Sequence, residues 1–177
     1  MRIFIGIGLS TKTKENLYEL QRNWLRFVSK KNPTLFDNFH LTLQFIGEVS
    51  ERELNKIADK LEESLADVSS FSIKIGDVGS FIRGSSEVIW AGVTDGKEKL
   101  KHLHRRIIEA LEQTDVVFRK QRFTPHITLA REVIFDDQVR QLPLINEIES
   151  VKTITIYRSH RPNGQLTYTP IYDFILL

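Results

Sequence analysis

The chain has 177 residues, 41% of them apolar, and its 25 Lys and Arg against 23 Asp and Glu leave a formal net charge of +2 at pH 7. That length suits one domain, or two small lobes sharing a core, and a balance so mild is unlike the dense basic faces of proteins that wrap long nucleic acids. With no Cys and no apolar run of the ~18 residues a membrane helix needs, disulfides, thiolate catalysis, thiolate-ligated zinc and a helical membrane span are excluded. The N-terminal Ile3-Phe4-Ile5-Gly6-Ile7-Gly8-Leu9 reads as an apolar strand. Ser10 and Thr11 open a helix in which Leu17, Leu20, Trp24, Leu25 and Val28 recur at helical spacing up to about Lys31, with Pro33 just beyond. A strand is expected over residues 39–47. Ser50 then starts a second helix, with Glu53 at the capping-box position and Leu54, Ile57, Ala58, Leu61 and Leu65 as its apolar face. Residues 71–78 alternate as a half-buried strand, 79–87 read as a loop, and 88–93 as a further strand. A third helix spans 95–114, with Leu100, Leu103, Ile107, Ile108 and Leu111 inward. Residues 116–118 are short and extended, 124–132 form a strand and 136–142 a short helix. Two closing strands, 149–159 and 165–176, flank the turn signal Asn163-Gly164. The order of elements predicts an α+β fold.

One tetrapeptide occurs twice along this path, as His40-Leu41-Thr42-Leu43 and as His126-Ile127-Thr128-Leu129. In a strand, side chains alternate between faces, so each copy turns its His and Thr one way and its two apolar residues the other. The context repeats too. From Ile3 to His40 is 37 residues and from Val88 to His126 is 38, each interval running from an apolar strand through a helix. Downstream, alternating strands recur at 71–78 and 151–157. A repeat of this length is first a statement about architecture. It predicts an internal duplication within a single domain, approximately 1–80 and 86–160 with a closing strand at 165–176. The two lobes are pseudo-symmetric, each an antiparallel sheet with packed helices, and the cleft lies between them.

Two imidazoles are a complete acid–base pair, and two hydroxyls can hold an anion. No Gly-rich phosphate loop or serine elbow competes for the chemistry: Gly6 and Gly8 lie inside a strand, and no Gly-Lys-Ser/Thr follows. A metal site is not expected, because no carboxylate stands at ligand spacing from either motif histidine and Thr is a poor ligand for divalent ions. In-line phosphoryl transfer needs one group to take a proton from the nucleophile and another to give one to the leaving oxygen, and His serves both ends near neutrality. Thr42 and Thr128 would hold the non-bridging oxygens, with Arg131 as the nearby cation. Arg131 stands at an odd offset from His126, so it must act from the strand's end or from a bulge. Phe39, Phe45 and Trp90 are candidates to stack a base, although such residues are more often core. His102 and His104 are expected on a solvated basic helix face, and His160 in the hairpin loop. Pro125 places the second motif at an edge or a strand start.

On these residues the chain resembles the 2H phosphoesterases, and among them the RNA 2′,3′-cyclic phosphodiesterase, or 2′-5′ RNA ligase-like, branch. The resemblance covers nearly the whole chain. It is carried by Met1-Arg2-Ile3-Phe4-Ile5, by Asn38-Phe39 and the first motif with Gln44-Phe45-Ile46-Gly47-Glu48-Val49, and by Val88-Ile89-Trp90-Ala91-Gly92-Val93. It continues in Phe123-Thr124-Pro125, the second motif, Ala130-Arg131 and the final hairpin, where Ser159-His160-Arg161-Pro162 is more basic than the family pattern. The resemblance implies metal-independent, cofactor-free hydrolysis of an RNA 2′,3′-cyclic phosphate end to a 2′-phosphomonoester. It makes His40 the proton donor to the 3′ leaving oxygen, His126 the proton acceptor from water, and Thr42, Thr128 and Arg131 the phosphate ligands. The same site can also join a cyclic phosphate to a 5′-hydroxyl through a 2′-5′ linkage. The expected partner is RNA with such an end, tRNA fragments among the candidates, with no membrane and a monomeric chain. The N-terminal strand lacks a signal peptide's cleavage site, so a cytoplasmic protein is expected. Two alternatives stand beside this: a related enzyme acting on small cyclic nucleotides or ADP-ribose cyclic phosphate, and an RNA-binding module without turnover.

Overall fold

In the computed structural model, which describes residues 1–26, 28–135 and 145–177, nine strands form one sheet and three helices pack on it. The strands are β1 (Arg2–Gly8), β2 (Val28–Pro33), β3 (His40–Glu48), β4 (Phe71–Arg83), β5 (Ser86–Asp95), β6 (His126–Phe135), β7 (Glu147–Val151), β8 (Thr153–His160) and β9 (Thr167–Ile175). The helices are α1 (Thr11–Leu25), α2 (Glu51–Leu65) and α3 (Lys97–Glu112). Spatial order is β7-β4-β5-β6-β3-β1-β8-β9, with β2 also on β6, and all pairings are antiparallel. β3, β1, β8 and β9 on one side of the β3–β6 seam, and β6, β2, β5, β4 and β7 on the other, make the two lobes of this α+β fold. Among the described residues no helix is long and apolar enough to cross a membrane.

The third strand of each half crosses over. β4, which follows the first motif, pairs with β5, whereas β8, which follows the second, pairs with β1. The crossing back occurs at Lys152, whose carbonyl accepts from the amide of Leu176 at 2.8 Å. It divides the expected strand 149–159 into β7, which pairs with β4, and β8, which lies beside β1.

Helix starts follow their caps. Ser50 and Glu53 form the full capping box of α2. Ser10 caps α1, and its hydroxyl and amide both donate to the buried Glu149 carboxylate, at 2.9 and 3.1 Å. The end of α1 departs from the expected Lys31. The helix stops at Leu25, and Val28–Pro33 pairs with β6 as a strand instead. A β-branched Val and the restriction Pro33 places on Asn32 favour extended backbone there, and the Lys31 ammonium donates to the freed Leu25 carbonyl at 2.5 Å.

The loop expected at 79–87 is instead a hairpin: β4 runs to Arg83 and β5 starts at Ser86, with Gly84 at φ 62° in the turn. Gly79 does not break this strand. It faces Trp90, and a Cβ there would lie 2.4 Å from the indole, so glycine is what lets the ring lie flat across β4. Asn163 and Gly164 both take left-handed backbone, φ 54° and 81°, in the turn before β9. Residues 116–118 join no ladder, and the expected helix at 136–142 lies outside the described residues. The apolar backs of the motif strands, Leu41, Leu43, Ile127 and Leu129, belong to the same buried cluster as the inward faces of α2 and α3, which leaves the opposite face of the seam open.

Candidate active site

β3 and β6 touch through one backbone pair, Leu41 with Ile127. In an antiparallel ladder that register sets His40 beside Thr128 and Thr42 beside His126, all four on the face opposite the core. Beyond this pair the strands part. β2 takes the edge of β6 from Ala130 onward, and the cleft opens at the divergence.

Both motif strands change parity at the same place. On β6, Leu129 and Ala130 together oppose Ile89, and both are fully buried. This bulge returns Arg131 to the cleft face, where it lines a cavity with His40 and Thr128. The required irregularity is therefore present, and Glu132 at φ 53° bends the strand further. On β3, Leu43 and Gln44 together oppose Ile5 in the same manner, and the next residue, Phe45, is 45% exposed. Phe45 thus stands where Arg131 stands in the other half, beside His126 and Thr42.

The two imidazoles are held alike. Nδ1 of His40 donates to the Asn38 carbonyl at 2.7 Å, and Nδ1 of His126 donates to the Thr124 carbonyl at 2.6 Å. A carbonyl can only accept, so Nδ1 carries the proton of each neutral ring and Nε2 is the nitrogen left to take up or give a proton. Nε2 of His40 accepts from the Thr42 hydroxyl at 2.8 Å. Phe4 and Tyr168 pack on the His40 ring, with centroids 4.8 and 4.9 Å away, and Phe81 packs on His126 at 5.1 Å.

Burial pushes the His40 imidazole down to about 4, helped by the charges of Arg131, His126 and Lys14 and opposed by the Asn38 carbonyl. His126 is lowered as well, first by burial, then by Arg131, against the Thr124 carbonyl. Both rings are therefore neutral at pH 7 in the free protein. Because the folded state resists protonating His40, stability is fully present above about pH 6.5, the unfolded value, and falls as pH drops toward 4, by roughly 3 kcal/mol in full. His40→Gln should narrow the gap in unfolding free energy between about pH 7 and pH 4.5 by most of that amount. An unchanged gap in denaturant titrations would mean the ring is not held neutral.

Other candidates separate. Phe39 is core, 1% exposed. Trp90 lies beneath His126, its centroid 6.2 Å away and its buried indole N–H without a partner among the described residues. His104 departs from the solvated face expected for it. It stacks on Phe123 at 4.4 Å and lines the His126 side of the cleft. His160 donates to or accepts from the Thr169 hydroxyl at 2.9 Å, at the end of β8. Tyr168, Arg161 and Asn38 also line the cleft and were not singled out from sequence. Alternation along β9 and the basic hairpin were the available signals. Among the described residues no three His, Asp or Glu side chains converge as a metal site would need.

A two-lobed α+β sheet with one His-x-Thr strand from each lobe at its seam is the class that fold and site define. The chain belongs to the 2′-5′ RNA ligase superfamily, whose sequence pattern its residues 29–160 match. It is 30% identical to an RNA 2′,3′-cyclic phosphodiesterase of Thermotoga maritima over 98% of this chain and 94% of that one. It is 27% identical to the protein of the same name from Escherichia coli, over 99% and 96%. Among solved structures, E. coli LigT in complex with 3′-AMP superposes with a TM-score of 0.81 at 26% identity, covering 99% of this chain and 97% of that one.

Proposed function

We propose that this cleft hydrolyses RNA 2′,3′-cyclic phosphate ends to 2′-phosphomonoesters, with His40 as proton donor and His126 as proton acceptor. The observation that carries the proposal is the antiparallel seam, which sets each histidine beside the other motif's threonine with both Nε2 atoms left for proton transfer. Nε2 of His126 takes a proton from water as its oxygen forms a bond to phosphorus. The bond from phosphorus to the 3′ oxygen breaks in line, and Nε2 of His40 gives that oxygen a proton. Thr42, Thr128 and Arg131 hold the non-bridging oxygens. To do so Thr42 must turn its hydroxyl from His40 to phosphate, which frees Nε2 to carry the donated proton. A bound phosphate anion favours the charged ring that burial disfavours. The same steps with a 5′-hydroxyl in place of water as the nucleophile give 2′-5′ ligation: its oxygen bonds to phosphorus, His126 takes its proton, and the 3′ oxygen leaves with a proton from His40. The names of the relatives support the reaction class, the geometry supports a paired acid–base site, and the assignment of donor and acceptor follows the family resemblance. RNA ends such as those of tRNA fragments, a cytoplasmic site of action and a single chain as the working unit belong to the same proposal.

In excess chelator, RNA ending in a 2′,3′-cyclic phosphate should be turned over at an undiminished rate, and faster than ADP-ribose cyclic phosphate. Loss of activity restored by one divalent ion would contradict the metal-free scheme. Preference for the small compound would move the substrate class, and binding of RNA without turnover would leave a recognition module.

A further inference from the structure

The cleft continues into a second groove on its His40 side. The two share residues 33–35, Asn38, Gln165 and Leu166 as a common wall. Beyond that wall the groove is lined by Arg22, Arg26 and Lys31 against a single carboxylate, Asp37. The cations Arg131 and Arg161 already line the cleft at its inner end, so positive charge runs from the site outward along one path.

Aromatic rings interrupt that charge. Tyr18, 37% exposed, meets Phe36 edge to face at 5.8 Å, with the Arg22 guanidinium 5.8 Å from the Tyr18 ring. The wall is fixed to the second motif strand. The Gln21 amide donates to the Thr34 carbonyl at 2.9 Å and to the Leu129 carbonyl at 2.6 Å, and the Thr34 amide donates to Leu129 at 2.9 Å. A basic channel interleaved with partly exposed aromatic rings suits single-stranded nucleic acid held without reading its sequence.

We propose that this groove holds the RNA strand leading to the cyclic phosphate end, and that it makes the site prefer oligonucleotides to mononucleotide 2′,3′-cyclic phosphates. The inference rests on the reaction proposed above. There His40 protonates the 3′ oxygen of the terminal ribose, so the ribose and the chain attached to its 5′ side leave the site past His40. The groove begins at that point. The His126 side, lined by Thr42, Phe45 and Phe123, is left for water or a 5′-hydroxyl.

The test compares kcat/KM on a hexanucleotide and a mononucleotide, each with a 2′,3′-cyclic phosphate. The wild type should favour the hexanucleotide. Arg22→Glu should lower kcat/KM on it about 10-fold, through KM, and leave the mononucleotide within about twofold. Tyr18→Ala should act in the same direction. Arg22→Gln should reduce the slope of log affinity against log salt by about 0.7, the share of one phosphate contact on a single strand. Mononucleotide turnover reports an intact fold and site in each variant. Equal losses on both substrates, or none on the hexanucleotide, overturn the inference. Where neither compound is turned over, the proposed reaction fails, and fluorescence anisotropy with the same hexanucleotide still reads the groove: binding undiminished by Arg22→Glu overturns it.

Discussion

His40→Ala and His126→Ala are each expected to lower turnover of an RNA 2′,3′-cyclic phosphate at least 10²-fold, since a positioned general acid or base typically contributes 10²–10⁴-fold. Both groups act in one displacement, so the double variant should lose far less than the product of the two single losses. Near-normal turnover by either single variant would end the paired mechanism. The roles are separated by the leaving group. With a substrate whose leaving oxygen needs little protonation, His40→Ala should regain much of its rate and His126→Ala should stay slow, because water still needs a base. The opposite pattern would exchange the two roles. A pH profile cannot make this distinction. The reactive state carries one proton on the pair, and the bell reports the pair rather than either ring. Its kcat/KM limbs should lie on the acid side of 6.5, because burial lowers both imidazoles in the free site. Both rings are disfavoured as cations in the free protein, so the bound phosphate has to favour the charged ring that donates the proton.

Arg131→Ala is expected to cost about 10²–10³-fold in kcat/KM, the range for removing one preorganised group from the site of developing charge. The bulge at Leu129 and Ala130 brings this guanidinium to the cleft, and its charge already depresses both histidines. Removing it should therefore also raise the imidazole values in the free protein, a shift that NMR titration of the ring protons would read. Arg131→Lys keeps the charge without the planar fork and should recover part of the rate. A loss below threefold in Arg131→Ala, with unmoved histidine titrations, would place the residue outside the phosphate site.

The motif's parity, the helix caps and the apolar faces were legible because each depends on residues near in sequence. His40 and Thr42 share a face, as do His126 and Thr128, by strand geometry alone. Arg131 was reachable only as a requirement for a bulge, since the register slip depends on β5 and on two buried neighbours that no local rule distinguishes. The end of α1 was misplaced because pairing of Val28–Pro33 with β6 overrides the helical spacing of Leu25 and Val28. The hairpin of β4 and β5 was hidden by Gly79 and Gly84, which read as loop until the flat indole of Trp90 accounts for the first. Tyr168 and Arg161 reach the cleft because β8 crosses to β1 and brings β9 with it. A swap of strands between halves leaves no trace in spacing. His104 departs for a similar reason: the ring that covers it, Phe123, belongs to the segment before β6 and not to its own helix.

The most direct measurement of the central claim is the identity of the product isomer. Purified protein in excess chelator is incubated with a short RNA ending in a 2′,3′-cyclic phosphate, and the product is assigned by phosphorus NMR. In-line attack with protonation of the 3′ oxygen at His40 predicts a 2′-phosphomonoester and a free 3′-hydroxyl. A 3′-phosphomonoester, or an RNA end left intact, would contradict the account.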